Sequence, residues 1–188
     1  MENDEQRRRV VEAGLKALFL TDKFCRTNWD ENMRIDVLAS RENSTVFRMV
    51  APEQWGNNYR KMHGGAYGAV ADCLTSVAGL AARMQPSVSV ALTLNYGSAA
   101  DIGDTIFMEC RVERSTRTLL FMSFKFYVVE NGKERVLVSG NHTKHYITAQ
   151  LPGDGTKTWT KLLTNPSGDD HTNTNAKDEA RPAMASKL

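Results

Sequence analysis

From Gly65 to Arg83 the chain reads GAYGAVADCLTSVAGLAAR, and this stretch limits what the protein can fold into more than any other. It contains no proline until Gln85-Pro86, so it reads as a helix that stops there. Gly65, Ala66, Gly68, Ala69, Ala71, Ala78, Gly79, Ala81 and Ala82 are all small. Such residues bury little apolar area each, but they let a sheet come close to the helix backbone. A central helix wrapped by a curved sheet is the expectation. One carboxylate, Asp72, lies inside this helix among Ala69, Val70, Ala71, Cys73 and Leu74. Its neighbours in sequence are apolar, and burying an unpaired carboxylate is expensive, so Asp72 is expected to have a partner or a task.

The remaining pattern supplies the sheet. Residues 33–40 (MRIDVLAS) and 44–51 (STVFRMVA) read as a hairpin closed by Pro52. Strand-like runs follow at 87–97, 104–114, 118–129 and 134–147. They are joined in part by Ser115-Thr116-Arg117 and by Glu130-Asn131-Gly132-Lys133, the latter with hairpin-turn chemistry. Sequential hairpins argue for antiparallel pairing. Ahead of them, residues 4–21 carry Val10, Val11, Leu15, Leu18 and Phe19 at helical spacing, with acids first. After Gln150 the composition turns to Gly, Pro, Asn, Asp and Thr, which reads as a flexible tail with a short docked piece around Trp159–Leu163. The expected division is an N-terminal helix over 1–22, a main domain over 23–150 and a tail over 151–188. The class is α+β.

Composition removes several functions. In 188 residues, 24 basic and 22 acidic side chains leave a net charge of +2, which is no footprint for nucleic acid or an anionic membrane. Cys25, Cys73 and Cys110 form no CxxC pair, so neither a disulfide framework nor a structural zinc site is expected, and a reducing compartment fits. Cys73 reads as a small, inert, apolar residue. The start MENDEQRRRV has no apolar signal region, and no run of eighteen residues is free of polar interruption, so a soluble intracellular protein without membrane insertion is expected. His142 and His145 are three apart on a strand and point to opposite faces, which argues against a shared metal ion.

Some of the chemistry follows from the residues themselves. Gly64 and Gly65 sit where a loop enters the helix, so their N–H groups are donors without helical partners at the positive end of the dipole. They could form an oxyanion hole, or simply a glycine-rich helix start. Eight residues at about 1.5 Å rise place Gly64 and Asp72 about 12 Å apart along the axis. One carbonyl cannot be held at Gly64 and attacked through Asp72 of the same helix. Two antiparallel helices from two copies would bring them together. Thr75, three residues after Asp72, could hydrogen-bond its carboxylate or bond back to its own helix.

Asn57, His63-Gly64-Gly65, Asp72, SVSVALTLNY at 87–96 and GNHTKHY at 140–146, in this order, resemble the hotdog fold. The resemblance is to the phenylacetate-degradation-type and small eukaryotic acyl-CoA thioesterases, and covers roughly residues 5–147. It implies an antiparallel sheet around a central helix, a homodimer or dimer of dimers with its active site at the interface, and hydrolysis of acyl-CoA without a cofactor beyond the coenzyme A of the substrate. Asp72 would be general base or nucleophile, Ser89 would orient water, and Gly64 with the Asn57 amide would hold the carbonyl. Asn57 could equally be a turn residue. His63 would shape the loop or contact the thioester sulfur. As the only histidine near the site, it is not the expected base.

Coenzyme A phosphates need cations and N–H donors. Arg114, Arg117, Lys144 and His145 are the candidates, with the alternative that the arginines mark a solvated strand end. By resemblance, Gly65, Thr75, Ala91, Tyr96, Gly97, Ser98 and Thr118 also contact substrate. The loop GSAAD departs from the family pattern, since Asp101 stands where a cation is usual.

The final tripeptide, Ser186-Lys187-Leu188, matches the peroxisomal address, so import by its receptor into a peroxisome or glycosome is expected, and a cytosolic location if the address is not read. A hotdog enoyl-CoA hydratase and a non-catalytic acyl-CoA-binding protein are the competing readings. The hydratase would need an Asp/His acid–base pair that the sequence does not display.

Overall fold

The computed structural model describes residues 2–22, 24, 25, 29 and 34–147. The tail, its docked piece and the terminal tripeptide lie outside these residues, as does Met33 at the expected start of the first strand. In chain order the elements are α1 (Glu2–Thr21), β1 (Ile35–Arg41), β2 (Ser44–Val50), a 3-10 turn (Glu53–Trp55), α2 (Gly64–Arg83), β3 (Ser87–Tyr96), β4 (Thr105–Ser115), β5 (Leu119–Glu130) and β6 (Lys133–Tyr146). The six strands form one antiparallel sheet in the order β1-β2-β4-β5-β6-β3. This is the expected helix-and-wrapped-sheet architecture.

α2 crosses the sheet and touches β3, β4, β5 and β6. Its buried stripe is Tyr67, Val70, Ala71, Leu74, Thr75, Val77, Ala78, Gly79 and Leu80, which follows the helical repeat. The small residues serve close approach, as expected. A Cβ on Gly79 would lie 2.8 Å from Leu120 Cδ2 on β5. Tyr67 packs edge-on against Phe126 with ring centres 5.2 Å apart. In length and mean hydropathy (1.2) α2 also equals a bilayer-crossing helix, but half of that window is buried within the fold, which is how the core helix of a globular domain reads.

α1 lays Val10, Val11 and Leu15 inward, against β1 and α2. Phe19 of α1, Trp29 and Trp55 make an edge-to-face chain, with ring centres 5.2 and 5.7 Å apart. It ties α1 to the loop that precedes α2. At the β5–β6 turn both Asn131 (φ 51°) and Gly132 (φ 74°) are left-handed, the geometry that twisted hairpins require.

Strand order is where local pattern fails. β3 does not pair with its sequence neighbour β4. It pairs with β6 at the far side of the sheet, and its other edge has no strand partner among the described residues.

Candidate active site

The site gathers where α2, β3 and β6 meet. On β3 the sequence SVSVALTL alternates perfectly and would place Val88, Val90, Leu92 and Leu94 on one face. The structure breaks that face. A β-bulge between Ser89 and Ala91 shifts the register, so Leu92 and Leu94 pack on the core while Val88 and Val90 are exposed. Ser89 therefore turns toward α2.

Ser89 Oγ donates to Asp72 Oδ1 at 2.7 Å. It also lies 3.0 Å from His142 Nε2 and accepts from Lys144 Nζ at 3.1 Å. His142 Nε2 and Lys144 Nζ stand 3.6 and 3.8 Å from Asp72 Oδ1. His142 Nδ1 meets Thr75 Oγ1 at 2.5 Å, and Thr75 Oγ1 also lies 2.6 Å from the Ala71 carbonyl. One proton arrangement fits the chain. Thr75 shares its single O–H between His142 Nδ1 and the Ala71 carbonyl, His142 donates from Nε2 to Ser89, and Ser89 donates to the carboxylate. The polar chain thus runs from the core to Asp72.

His142 is fully buried and Lys144 nearly so. Burial, then the neighbouring Lys144 charge, push the His142 pKa down from 6.5 to about 4, with Asp72 opposing. The imidazole is neutral at pH 7. Burial also lowers the Lys144 pKa, against the pull of Asp72.

Several expectations change here. Asp72 is not enclosed in apolar residues: its side chain is 50% exposed and hydrogen-bonded. Neighbours in helical sequence are not neighbours in space. Thr75 does not reach the Asp72 carboxylate, because it bonds back to α2 and faces His142. Lys144 is not placed for a phosphate, being buried against Ser89 and Asp72. His63 is not the only histidine near the site. His142 and Lys144 as members of this cluster were missed, although a signal was present: Gly140, His142, Lys144 and Tyr146 share one parity on β6, and all four are buried. His145, of opposite parity, is exposed as expected. Among the described residues, no group of three or more metal-ligating side chains is gathered.

At the start of α2, His63 is the N-cap, and its Nδ1 accepts from Gly65 N–H at 2.9 Å. Gly65 therefore does not offer a free donor, which corrects the expectation for that residue. The Gly64 N–H has no partner among the described residues. Tyr96 reaches back from β3, its hydroxyl donating to the Gly64 carbonyl at 3.0 Å. Asn57 Oδ1 accepts from Tyr59 N–H at 2.9 Å and Lys61 N–H at 3.1 Å, a turn that occupies its oxygen and leaves its amide N–H groups as the part that could meet a carbonyl. Asp101, the departure from the family pattern, pairs with Lys61 of the segment before α2 at 2.6 Å.

The remaining candidates form two groups at opposite ends of α2. Tyr96, Gly97 and Ser98 sit at its start, the last two bonded through their N–H groups to the Leu137 carbonyl. At its end Arg83 donates to the Thr116 and Arg117 carbonyls, near exposed Arg114, Thr118 and His145. About 28 Å of helix separates the ends. Ala91 is exposed on the open edge strand, just past the bulge. Beside the α2 start, Phe24, Trp29, Gln54, Trp55, His63 and Ala69 line an open cleft of about 300 Å³.

A single helix enclosed by a six-stranded antiparallel sheet, with a polar cluster where helix and edge strand meet, defines a hotdog domain. Residues 59–134 match the thioesterase superfamily family model. Acyl-coenzyme A thioesterase 13 of Mus musculus is 27% identical over 113 residues, 60% of this chain and 79% of that protein. The crystal structure of thioesterase superfamily member 2 from Mus musculus superposes with a TM-score of 0.61 at 24% identity, covering 72% of this chain and 96% of that one. The E. coli PaaI structure, from the phenylacetic acid degradation operon, gives 0.61 at 18% identity over 76% and 96%. The fold is that of the hotdog thioesterase structures, and within it residues 59–134 are similar to the thioesterase superfamily.

Proposed function

We propose that this protein hydrolyses acyl-CoA thioesters to free acid and coenzyme A, with Asp72 activating water at a site completed by a second copy of the chain. The Asp72–Ser89 hydrogen bond at the open edge of β3 carries the reading. It places a half-exposed carboxylate, able to take a proton, beside a hydroxyl that can hold a water. A neutral buried His142 and the Lys144 ammonium fix that hydroxyl from behind. Gly64 N–H, at the positive end of α2, is the donor for the developing oxyanion.

The shared site rests on three features. Gly64 and Asp72 are about 12 Å apart along one helix. The expected substrate contacts divide between the two ends of α2. β3 also exposes Val88 and Val90 along an unpaired edge, which a second β3 would cover. In that dimer the Asn57 amide and Gly64 of one copy face Asp72 of the other. A peroxisomal or glycosomal location, through the terminal Ser-Lys-Leu and its import receptor, belongs to the same reading, and would supply acyl-CoA esters of lipid metabolism.

The hydratase alternative gains an Asp72–His142 pair at 3.6 Å. Hydration needs both groups at the substrate, however, and His142 is fully buried with both nitrogens engaged. A thiol-release screen over short, long and aromatic CoA esters tests the proposal. Released thiol that falls at least ~100-fold in Asp72→Asn supports it. Loss of an enoyl double bond without thiol would replace it with hydration.

A further inference from the structure

Two of the three cysteines meet. Cys25 Sγ, on the segment that follows α1, lies 3.6 Å from Cys73 Sγ on α2, although the residues are 48 apart in sequence. Cys25 is fully buried, while Cys73 is half-buried directly after Asp72. Cys110 is buried on β4. The geometry points to a peroxide-reactive dithiol at Cys25 and Cys73, whose disulfide fastens the wall of the cleft beside His63 onto α2.

The two cysteines have different roles. Cys73 is the more accessible of the two and so the first to meet peroxide. The contact with Cys73, then burial and Asp22, push the Cys25 thiol up, which keeps it protonated and makes it the second to react. The Cys73 thiol reacts with hydrogen peroxide, giving a sulfenic acid and one water. The Cys25 sulfur then attacks the Cys73 sulfur. The S–S bond forms, the sulfenic hydroxyl leaves, and the Cys25 proton joins it as a second water. Two thiols are oxidised by two electrons and one peroxide is reduced, so the step balances. Thiols already in contact need only a small approach to reach the length of a disulfide.

The consequence is mechanical. Phe24 and Trp29, on either side of Cys25, line the cleft together with His63 and Ala69. A bond from Cys25 to Cys73 ties that wall to α2 one residue from Asp72.

The test is peptide mapping of the full chain before and after treatment with hydrogen peroxide. A linked peptide joining Cys25 to Cys73, two hydrogens lighter and reversed by dithiothreitol, is expected, with Cys110 remaining a free thiol. The treated protein should melt several degrees higher, and Cys25→Ser and Cys73→Ser should each lose that rise. The readout is mass, so it stands whether or not the protein hydrolyses thioesters. Peroxide treatment that leaves both thiols free, drives Cys73 to sulfinic acid with Cys25 still reduced, or links separate chains overturns the proposal.

Discussion

His142 is buried as a neutral imidazole, and stability against pH reads this out directly. Its pKa is 6.5 in an unfolded chain and about 4 in the fold. Between these values the unfolded chain binds the extra proton and the folded one does not, so stability rises with pH across the window and falls as acid is added. A shift of about 2.5 units at about 1.4 kcal/mol per unit gives a full effect of about 3 kcal/mol, of which about 2 kcal/mol falls between pH 7 and pH 4.5. Carboxylates with lowered pKa, such as Asp36 held by Arg48, also lose stability in acid, so the wild type alone does not isolate the histidine. His142→Gln does, since the amide can still donate to Ser89 and accept from Thr75 while carrying no titration. Urea unfolding of both proteins at pH 7 and 4.5 is the assay, with the difference between the two drops as the quantity. The wild type should lose about 2 kcal/mol more than the variant. Equal losses would show that His142 is not held neutral in a buried network. Lys144→Met should shrink the wild-type drop as well, because removing that charge lets the His142 pKa rise toward its ordinary value.

Other perturbations test the site and its frame. Mixing inactive Asp72→Asn chains with inactive Asn57→Ala chains should recover part of the thiol release once subunits exchange, and a mixture as inactive as its parents would place the site within one chain. Gly79→Val should cost about 1–3 kcal/mol in urea unfolding by driving α2 off Leu120, while Gly68→Ala, with open space around it, should cost little or nothing. Deleting Ser186–Leu188 should leave thiol release unchanged and move the protein from organelle to cytosol in imaged cells. Retention in the organelle would refute the address.

Much of the frame was legible because it rests on short-range rules. The small residues of α2 announced close packing, and Asn131-Gly132 announced its turn. The pairing of β3 with β6 was not legible, since nothing within β3 says which strand it meets after the chain crosses the sheet. Around the site, Asp72 stood out as a lone acid, but its half-exposed state depends on the open edge of β3. Lys144 was misread for a related reason. Lysine is usually a surface residue, and only its parity with Gly140 and Tyr146 on β6 placed it inside. Ser89 was found by likeness of pattern, yet its direction depends on a bulge that strict alternation hides.

That bulge divides β3 into two lengths with different masters. Beyond it, Leu92 and Leu94 answer to the core, so substitutions there should trade size against stability. Before it, Val88 and Ser89 answer to the open edge and to Asp72, and the same strand is free to vary without disturbing the core. Were Val90 instead paired as an ordinary ladder residue, the two would be one regular strand. Val88 would swing inward, Ser89 would turn to solvent, and Asp72 would lose its hydroxyl. One surplus residue is thus what lets a strand built for packing also carry chemistry.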